Sequence, residues 1–335
     1  MNREQTITGV ICGTGACVPE KVMDNNEIAQ LVETSDQWIR ERTGVARRHI
    51  AKKETTVSMA VEAGRQAMEE AGICPEEIDL ILVASASPDQ VFPCTACRVQ
   101  EFLGAVNASG FDLNAACSGF LFAYNTAQAY ISAGVFRTVL VIGAECLSRL
   151  VDWQDRNTCI LFGDGAGAVL LRAQSGRLYL PAAHSDGTGG SALTCDGTAA
   201  IGPGAENAGT SERKIPYIEM NGKEVFQFAI RKVPQAIEEV LEKNHLTKDD
   251  IDWFILHQAN SRIVDAVARR LKTDIKKFPM NLQEYGNTSS ASIPILLNEL
   301  NRNGILNNGQ RIVLAGFGAG LSWGASILEW KIPEK

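Results

Sequence analysis

The 335-residue sequence predicts a mixed α/β protein in which one structural unit occurs twice. Short runs of β-branched and aliphatic residues alternate with longer helical segments, a pattern typical of largely parallel sheets covered by helices. Residues 60–83 and 229–256 share QAxEE near a helix end, followed by acidic residues and by Ile-Asp before an apolar strand. The runs TVLVIGAE (138–145) and RIVLAGFGAG (311–320) form a second similar pair in the same order. Two such pairs indicate a duplication.

The first predicted half spans residues 1–175. Its apolar strand over 80–83 is followed by the strand-like run GFDLN at 110–114 and by a helix over 118–134. This helix is apolar nearly all round, which favours a position in the core. Gly134 is expected to end it, because glycine readily adopts the left-handed conformation found after helices.

The second predicted half spans residues 176–335. Residues 186–213 contain seven glycines and few large apolar residues, which predicts a loop near the entrance of a site or at a subunit contact. An apolar strand over 253–256 and a helix that reaches Leu300 follow.

Composition narrows the class of protein. With 45% hydrophobic and 21% charged residues, the chain resembles ordinary soluble globular proteins, and its net charge of -7 argues against nucleic acid as the main partner. The N-terminal MNREQTITGV lacks the layout of a signal peptide, and the apolar runs are too short to span a membrane. Nine scattered cysteines favour a reducing cytoplasm. Four histidines without paired Cys/His spacing argue against a zinc site.

Three polar residues at the ends of predicted elements could carry chemistry. Cys117 opens the apolar helix, where the helix dipole favours the thiolate. His257 ends the strand over 253–256, and Asn287 lies in a turn after glycine. A thiol can act as a nucleophile, and an imidazole and a carboxamide can donate hydrogen bonds to an oxygen that gains negative charge. Each residue alone also fits a structural role, so the three must be judged as a set.

Other motifs admit structural and functional interpretations. The glycines of GDGAGA (163–168) and GFGAG (316–320) favour close backbone packing, and GFGAG could also offer amides to an oxyanion. Cys94 and Cys97 form CTAC, a possible redox pair without any other feature of a thioredoxin.

Trp38 stands beside Arg40 and Arg42 in the sequence. Together with Arg156 and Arg262, they could bind a nucleotide-bearing ligand, with the indole stacking on its base. A solvated charged face explains the same residues.

Taken together, these strings resemble the β-ketoacyl-acyl-carrier-protein synthase III family, the initiating condensing enzymes of type II fatty acid synthesis. The resemblance covers nearly the whole chain and follows the order of the family. It rests on SDQWIRERTG, FPCTAC, AACSGF, DRNT, FGDGAGA, NGKEVF, HQANSRI, GNTSSAS and GFGAGLSWG. It implies the thiolase fold, with five αβαβα layers from two similar halves, and a homodimer.

The resemblance also implies roles for the three candidate residues. Cys117 would accept the acyl group from an acyl-CoA, with its own amide and that of Ala319 forming the oxyanion hole. His257 and Asn287 would hold the thioester oxygen of a malonyl group on the acyl carrier protein while it decarboxylates. The product would be a 3-oxoacyl carrier protein, and the reaction would need no metal or other cofactor.

Binding residues are implied in the same way. Trp38, Arg42, Arg156 and Asn260 resemble coenzyme A contacts. The run Gln258, Ala259, Asn260, Ser261 and Arg262 resembles the carrier-protein contact. Phe92 resembles a residue that crosses the dimer interface into the partner's acyl pocket, and Phe226 one that lines the tunnel.

Two positions depart from the family pattern, and several alternatives remain. Ala319 stands where many members have glycine, although the backbone N–H survives, and Ser261 replaces a common apolar residue. An enzyme of secondary metabolism would keep the same three residues, whereas thiolases and elongating synthases have cysteine or histidine in place of Asn287. A cysteine thioester hydrolase would fit the 140-residue separation of Cys117 and His257, but the papain-like CGSCW string is missing. A non-catalytic acyl or CoA carrier would not need all three residues.

Overall fold

The computed structural model describes residues 6–197 and 217–332, which form two main sheets with helices between and outside them. The strands are β1 (Thr6–Cys17), β2 (Val22–Asp24), β3 (Arg47–His49), β4 (Leu80–Ala84), β5 (Ser109–Leu113), β6 (Thr138–Glu145), β7 (Gly165–Gly176), β8 (Ala182–Ser185), β9 (Leu193–Cys195), β10 (Ile218–Met220), β11 (Trp253–Leu256), β12 (Arg311–Gly318) and β13 (Ser322–Glu329). The helices are α1 (Asn25–Ile28), α2 (Asp36–Thr43), α3 (Thr56–Ala71), α4 (Thr95–Leu103), α5 (Gly119–Ser132), α6 (Arg156–Cys159), α7 (Gly222–Lys243), α8 (Ser261–Leu271), α9 (Leu282–Tyr285) and α10 (Ser292–Arg302).

The two main sheets repeat one strand order. The five-stranded sheet runs β1-β7-β6-β4-β5, and the four-stranded sheet runs β8-β13-β12-β11. In each sheet the first two pairings are antiparallel and the third is parallel. The similar sequence pairs therefore occupy equivalent strands, β4 with β11 and β6 with β12. The boundary predicted at residue 175 falls at the end of β7 and remains a prediction.

Helices cover both sheets and fill the space between them. Helices α3 and α4 pack outside the five-stranded sheet, and α7 and α8 pack outside the four-stranded sheet. Helices α5 and α10 lie between the two sheets, where residues such as Phe120 and Leu297 are fully buried. These are five αβαβα layers, as predicted.

The N-terminus of the buried helix, next to Cys117, differs slightly from the predicted start at residue 118. Helix α5 begins at Gly119, whereas Cys117 lies in a preceding 3-10 turn over Ala116–Ser118. Gly134 adopts φ 73° just after the helix, as its predicted role as a terminator requires.

The glycine-rich region predicted as a loop over 186–213 contains a strand. Strand β9 lies within it and pairs with β10 from outside it, which contradicts a wholly irregular segment. Residues 198–216, which include most of the remaining predicted loop, lie outside the described residues. Among residues 6–197 and 217–332, no helix combines the length and apolarity that a membrane span requires.

Candidate active site

One cavity of about 110 Å³ brings Cys117, His257 and Asn287 together in its lining. Cys117 comes from the turn before α5, His257 follows the last residue of β11, and Asn287 follows α9. The three side chains are 8%, 1% and 6% exposed, so water has little access to them. The cavity thus unites residues from both sheets.

A tight turn presents Cys117. Ala116, just before it, has φ 45°, a left-handed conformation that is costly for a residue with a Cβ atom. A Cβ atom added to Gly318 would lie 2.8 Å from the Cys117 backbone nitrogen. Ser118 Oγ donates a hydrogen bond of 3.1 Å to the Ser322 carbonyl oxygen, which ties the turn to β13. Close packing therefore fixes the position of Cys117.

Burial controls the protonation of Cys117. It raises the pKa of the Cys117 thiol to about 12, and a hydrogen bond with Ser289 opposes this only in part. Desolvation of the buried sulfur therefore opposes the effect of the helix dipole, which favours the thiolate.

His257 is held as a neutral hydrogen-bond donor. Its backbone N–H donates to the Ala315 carbonyl oxygen over 2.8 Å, and its Nδ1 lies 2.7 Å from Ser292 Oγ. Ser292 Oγ also accepts from the Gln258 N–H at 3.3 Å, and in the tautomer in which its own proton is donated to Nδ1, the ring proton lies on Nε2. Burial lowers the pKa of His257 to about 3, so the imidazole is uncharged at neutral pH.

Asn287 is oriented in the same manner. Its backbone N–H donates to the Leu161 carbonyl oxygen over 2.8 Å, and its own carbonyl accepts from Gly163 N–H at 3.0 Å. Its side-chain Oδ1 accepts a hydrogen bond of 2.9 Å from the Ser289 N–H. The side-chain oxygen is thus already hydrogen-bonded, and the Nδ2 amide group is the donor that this side chain can offer to a ligand.

The contacts of Ser289 and Ser292 with the candidate residues were not predicted from the sequence. Both lie within five residues of Asn287, so TSSAS contained the signal. A serine run, however, does not show which hydroxyl will meet a histidine from another strand.

A second cavity of about 80 Å³ adjoins Cys117 on its other side. Its wall is mainly apolar and includes Leu147, Leu150 and Phe162. Ala319 also contributes to this wall, and its carbonyl oxygen accepts a 3.0 Å hydrogen bond from Ser322 Oγ. Ala319 therefore lies beside Cys117, and the role of its amide as an oxyanion donor remains a prediction.

The predicted coenzyme A contacts lie on an exposed cationic surface. The guanidinium carbons of Arg156 and Arg42 lie 5.0 Å and 5.7 Å from the centre of the Trp38 ring. Asn260 caps α8 and donates to the Arg42 carbonyl oxygen over 3.0 Å, which links α8 to α2. A planar base needs roughly 7 Å between the groups that stack on it, so Arg156 must move outward by roughly 2 Å to admit one.

The predicted carrier-protein contacts divide into buried and accessible residues. Gln258 is only 1% exposed, donates to the Leu256 carbonyl oxygen and accepts from Asn281 N–H, so the prediction that it contacts a carrier protein is wrong. Its amide supports the chain beside His257 instead. Ala259 and Ser261 are half-buried, and Ala259 lines the catalytic cavity together with Asn260.

The two predicted aromatic residues lie in different environments. Phe226 is part of the wall of the catalytic cavity, and the exposed guanidinium of Arg262 lies 5.5 Å from its ring centre. Phe92 is 84% exposed and lies near the start of α4. A residue so exposed on its own chain is available to a partner.

A buried acid supports the turn after Asn287. Glu145, at the end of β6, accepts hydrogen bonds from Ser87 Oγ at 2.5 Å and Ala86 N–H at 3.1 Å. Its other oxygen lies 2.8 Å from Ser290 Oγ, which itself donates to the Ala84 carbonyl oxygen over 2.9 Å. Because the serine has a single proton, a proton on Glu145 completes this chain. Burial raises the pKa of Glu145 accordingly.

Comparison with known proteins identifies the family. The family model described as 3-oxoacyl-[acyl-carrier-protein] synthase III matches residues 111–187, and the model of its C-terminal part matches residues 241–330. A β-ketoacyl-[acyl-carrier-protein] synthase III from Clostridium acetobutylicum is 48% identical over 321 residues, or 96% of this chain and 98% of the relative.

Solved structures agree. The 3-oxoacyl-[acyl-carrier-protein] synthase III from Aquifex aeolicus is 41% identical with a TM-score of 0.90, over 96% of this chain and all of that one. A priming β-ketosynthase from the R1128 polyketide pathway is 34% identical with a TM-score of 0.91, over 99% and 98% of the two chains. Cys117, His257 and Asn287 all lie within the ranges that the family models match. The chain therefore belongs to the β-ketoacyl-[acyl-carrier-protein] synthase III family.

Proposed function

We propose that the protein condenses an acyl-CoA primer with malonyl-[acyl-carrier protein], releasing CoA and CO₂ and forming a 3-oxoacyl-[acyl-carrier protein]. This proposal rests on the meeting of His257, Asn287 and the Cys117 thiol in one cavity, where His257 Nε2 and Asn287 Nδ2 are the proposed hydrogen-bond donors. The pair is suited to an oxygen that gains charge after a nucleophile has been loaded.

In the first step, the sulfur of Cys117 attacks the thioester carbon of the primer and CoA leaves as a thiol. The amides of Cys117 and Ala319 are proposed to stabilise the tetrahedral oxyanion. The apolar cavity beside Cys117 is suited to the acyl chain, because its wall consists largely of aliphatic and aromatic side chains.

In the second step, the malonyl group loses CO₂ and its thioester oxygen becomes an enolate oxygen. His257 and Asn287 donate to this oxygen, and the carbon of the enolate then attacks the acyl group on Cys117. The depressed pKa of His257 keeps the ring neutral over the working range, so His257 donates as a neutral imidazole and not as an imidazolium. Exclusion of water protects both the thioester and the carbanion.

Substrate access is proposed along the surface that leads to the catalytic cavity. Trp38, Arg42 and Arg156 would bind the nucleotide end of coenzyme A through stacking and phosphate contacts. Arg262 is exposed beside the cavity wall and would meet an acidic acyl carrier protein. Asn260 would fix the relative position of these two regions through its bond to Arg42.

A homodimer is proposed through the edge of the five-stranded sheet. Strand β5 pairs only with β4 among the described residues, and Phe111 on it is 37% exposed. Phe102 and Val106 nearby are also exposed, as is Phe92. Pairing of two copies along β5 would cover this apolar edge and place Phe92 at the partner's acyl cavity.

The reaction as proposed requires no metal or other cofactor. Within residues 6–197 and 217–332, no three potential His, Cys, Asp or Glu ligands come together. A cytoplasmic location also remains a prediction.

Two other reactions are distinguished from this one by their products. Similarity to the polyketide priming ketosynthase favours a priming condensation in secondary metabolism as the second candidate. It would use the same chemistry with another primer or acceptor. A thioester hydrolase would release the free acid.

The test is incubation with acetyl-CoA and malonyl-[acyl-carrier protein], with CO₂ and the 3-oxoacyl product both quantified. Release of both in equal amounts is expected. Hydrolysis of acetyl-CoA without condensation would refute the synthase function. A panel of straight and branched primers would then define the acyl pocket and separate the two priming candidates.

A further inference from the structure

Arg48 on β3 is a buried charged residue that the proposed reaction does not use. Its side chain is fully buried. Nη1 donates hydrogen bonds to Asn25 Oδ1 at 2.8 Å and to the Met23 carbonyl oxygen at 3.4 Å, and Nη2 donates to the Ile160 carbonyl oxygen at 2.7 Å. Burial lowers the pKa of Arg48 to about 10, so the group still carries its charge at neutral pH. Burying a charge is costly unless hydrogen bonds compensate it, so these three oxygens hold the guanidinium in place.

One of these bonds leads to the start of α2. Asn25 is itself fully buried, and its Nδ2 donates to Asp36 Oδ1 and to the Val45 carbonyl oxygen, both at 2.9 Å. Asp36 is the first residue of α2, the helix that carries Trp38. Arg48 is therefore linked, through a single side chain, to the helix that presents this indole.

The bond to Ile160 leads to α6. Ile160 caps the C-terminus of this helix, and Arg156 is its first residue. The guanidinium carbon of Arg156 lies 5.0 Å from the centre of the Trp38 ring. One buried guanidinium thus holds both of the helices whose side chains are proposed to stack on the base of coenzyme A.

Arg48 also lies behind Asn287. Leu161 accepts a hydrogen bond of 2.8 Å from the Asn287 N–H, and Gly163 N–H donates to the Asn287 carbonyl oxygen at 3.0 Å. A Cβ atom would lie 3.1 Å from Arg48 Cβ if added to Gly163, and 3.2 Å from it if added to Gly286. The Arg48 side chain therefore packs directly against the two backbone segments that hold the carboxamide.

We infer that Arg48 is a positioning residue that sets the separation of Trp38 and Arg156 for the base of coenzyme A. Through the same contacts it supports the backbone that orients Asn287. The inference rests on the proposed function, which assigns these residues to coenzyme A and to the enolate oxygen. Arginine suits the role because its planar fork bonds groups on two sides at once, whereas lysine has a single nitrogen. Arg48→Lys therefore keeps the charge and cannot keep both links.

The first experiment titrates coenzyme A into the folded protein by calorimetry. Trp38→Ala should weaken binding by roughly 10-fold, because a stacking partner of the base is removed. Arg48→Lys should weaken binding to a similar extent, because the indole and the Arg156 guanidinium are no longer held at the right separation. The two losses should not multiply in the double variant, whose total loss should stay below roughly 30-fold.

A second variant reaches the same link without changing the arginine. Asn25→Asp keeps an oxygen that accepts from Arg48 but removes the donor to Asp36. Binding of coenzyme A should weaken as it does in Arg48→Lys, and again without multiplying the effect of Trp38→Ala.

Asn244→Ala is the matched control for lost stability. Asn244 is also buried, and its Nδ2 bonds the carbonyl oxygens of Leu180 and Val240 at 2.9 Å and 2.7 Å. This variant should bind coenzyme A with wild-type affinity and should show the full effect of an added Trp38→Ala.

The second readout is CO₂ release from the acetylated protein. Arg48→Lys should reduce it by roughly 10-fold, because the backbone of Asn287 loses its support. Wild-type affinity for coenzyme A in Arg48→Lys, multiplied losses in the double variant or undiminished CO₂ release would overturn the inference. Unchanged binding in Trp38→Ala would refute the proposed coenzyme A site and the inference with it. Because calorimetry needs no turnover, its result is separate from whether the protein condenses its substrates.

Discussion

The turns that lead into α5 and α10 have similar backbone conformations, but their central side chains differ in chemistry. The turn Ala116–Ser118 precedes α5, and the turn Ser289–Ala291 precedes α10. Both are 3-10 turns, and both begin with a residue in the left-handed region, with φ 45° at Ala116 and φ 49° at Ser289. The turns before the equivalent helices α5 and α10 thus have the same geometry.

Each turn packs against a glycine that belongs to the other sheet. A Cβ atom on Gly318 of β12 would lie 2.8 Å from the Cys117 nitrogen, and one on Gly143 of β6 would lie 2.3 Å from the Ser290 carbonyl oxygen. We call this arrangement, in which each turn packs against a strand of the other sheet, crossed packing. It holds the centre of each turn between the two sheets. The geometry that presents Cys117 therefore occurs twice in the fold.

What differs is the side chain at the centre and the group opposite it. Cys117 opens on the cavity shared with His257, whereas Ser290 bonds to the buried Glu145. One copy is consequently the proposed site of reaction, and the other bonds to the surrounding structure. The backbone supplies a rigid position, and the neighbouring residues determine whether chemistry occurs there.

Replacing the central residue of each turn with alanine is expected to have the largest effects on acetyl transfer and stability. Cys117→Ala should reduce acetyl transfer from acetyl-CoA by at least about 1,000-fold, because the attacking sulfur is gone. Ser290→Ala should leave acetyl transfer largely intact but lower the free energy of unfolding by about 1–3 kcal/mol, because Glu145 loses a buried partner. Mass spectrometry of the acetylated protein and urea unfolding measure the two quantities. Loss of acetyl transfer in both variants, with unchanged stability, would contradict the division.

The glycines beneath the turns provide the next test. Gly318→Ala should displace Cys117 and slow acetyl transfer by roughly 10–100-fold. Gly143→Ala should mainly destabilise the fold, by about 1–3 kcal/mol, because its Cβ atom meets backbone that cannot move away. Gly187→Ala is the control, since a Cβ atom there meets nothing within 4 Å. Wild-type kinetics and stability in all three variants would refute the crossed packing.

Removing the partner of His257 is expected to have a smaller effect. Ser292→Ala frees Nδ1 to carry the ring proton, which takes the Nε2 donor away in part of the population. CO₂ release should fall by roughly 10-fold, while acetyl transfer to Cys117 changes little. Ser292→Thr, which retains the hydroxyl, should recover most of the rate if the larger side chain fits. An equal loss of both steps in Ser292→Ala would point to a general disturbance of the cavity.

The smallest effect is expected at the acid opposite Ser290. Glutamine reproduces the neutral form of Glu145, so Glu145→Gln should match the stability of the wild type near pH 4. The raised pKa of Glu145 means that the wild type loses stability as pH rises from the unfolded value of about 4.3 towards the folded value. Glu145→Gln lacks this loss and should become the more stable protein as pH rises. Urea unfolding at several pH values measures the difference, and a constant difference would mean that the acid does not titrate as inferred.

Much of the site could be predicted from short-range patterns. Cys117 before an apolar helix and His257 after a strand are positions that the sequence shows directly, and both lie where they were expected. The role of Ser292 could not be predicted, because its contact joins the end of β11 to the start of α10. Such pairings depend on how elements from distant parts of the chain pack.

Burial is the property that the sequence pattern did not show at Gln258 and Cys117. Gln258 stands in a motif with exposed neighbours, but its side chain turns inward to bond backbone groups. At Cys117, burial of the sulfur opposes the thiolate that the helix dipole favours. A linear pattern gives the spacing of polar residues and does not give the solvent exposure of each.

Cys117 and the two donors are proposed to serve separate steps, and the Asn287→Ala variant can separate these steps. The variant is first exposed to acetyl-CoA, then mixed with malonyl-[acyl-carrier protein], and acetylation and CO₂ release are measured on the same sample. We expect acetylation close to that of the wild type and CO₂ release reduced by about 100–1,000-fold, because one donor to the enolate oxygen is missing. Equal losses in the two steps, or undiminished CO₂ release, would contradict the assignment.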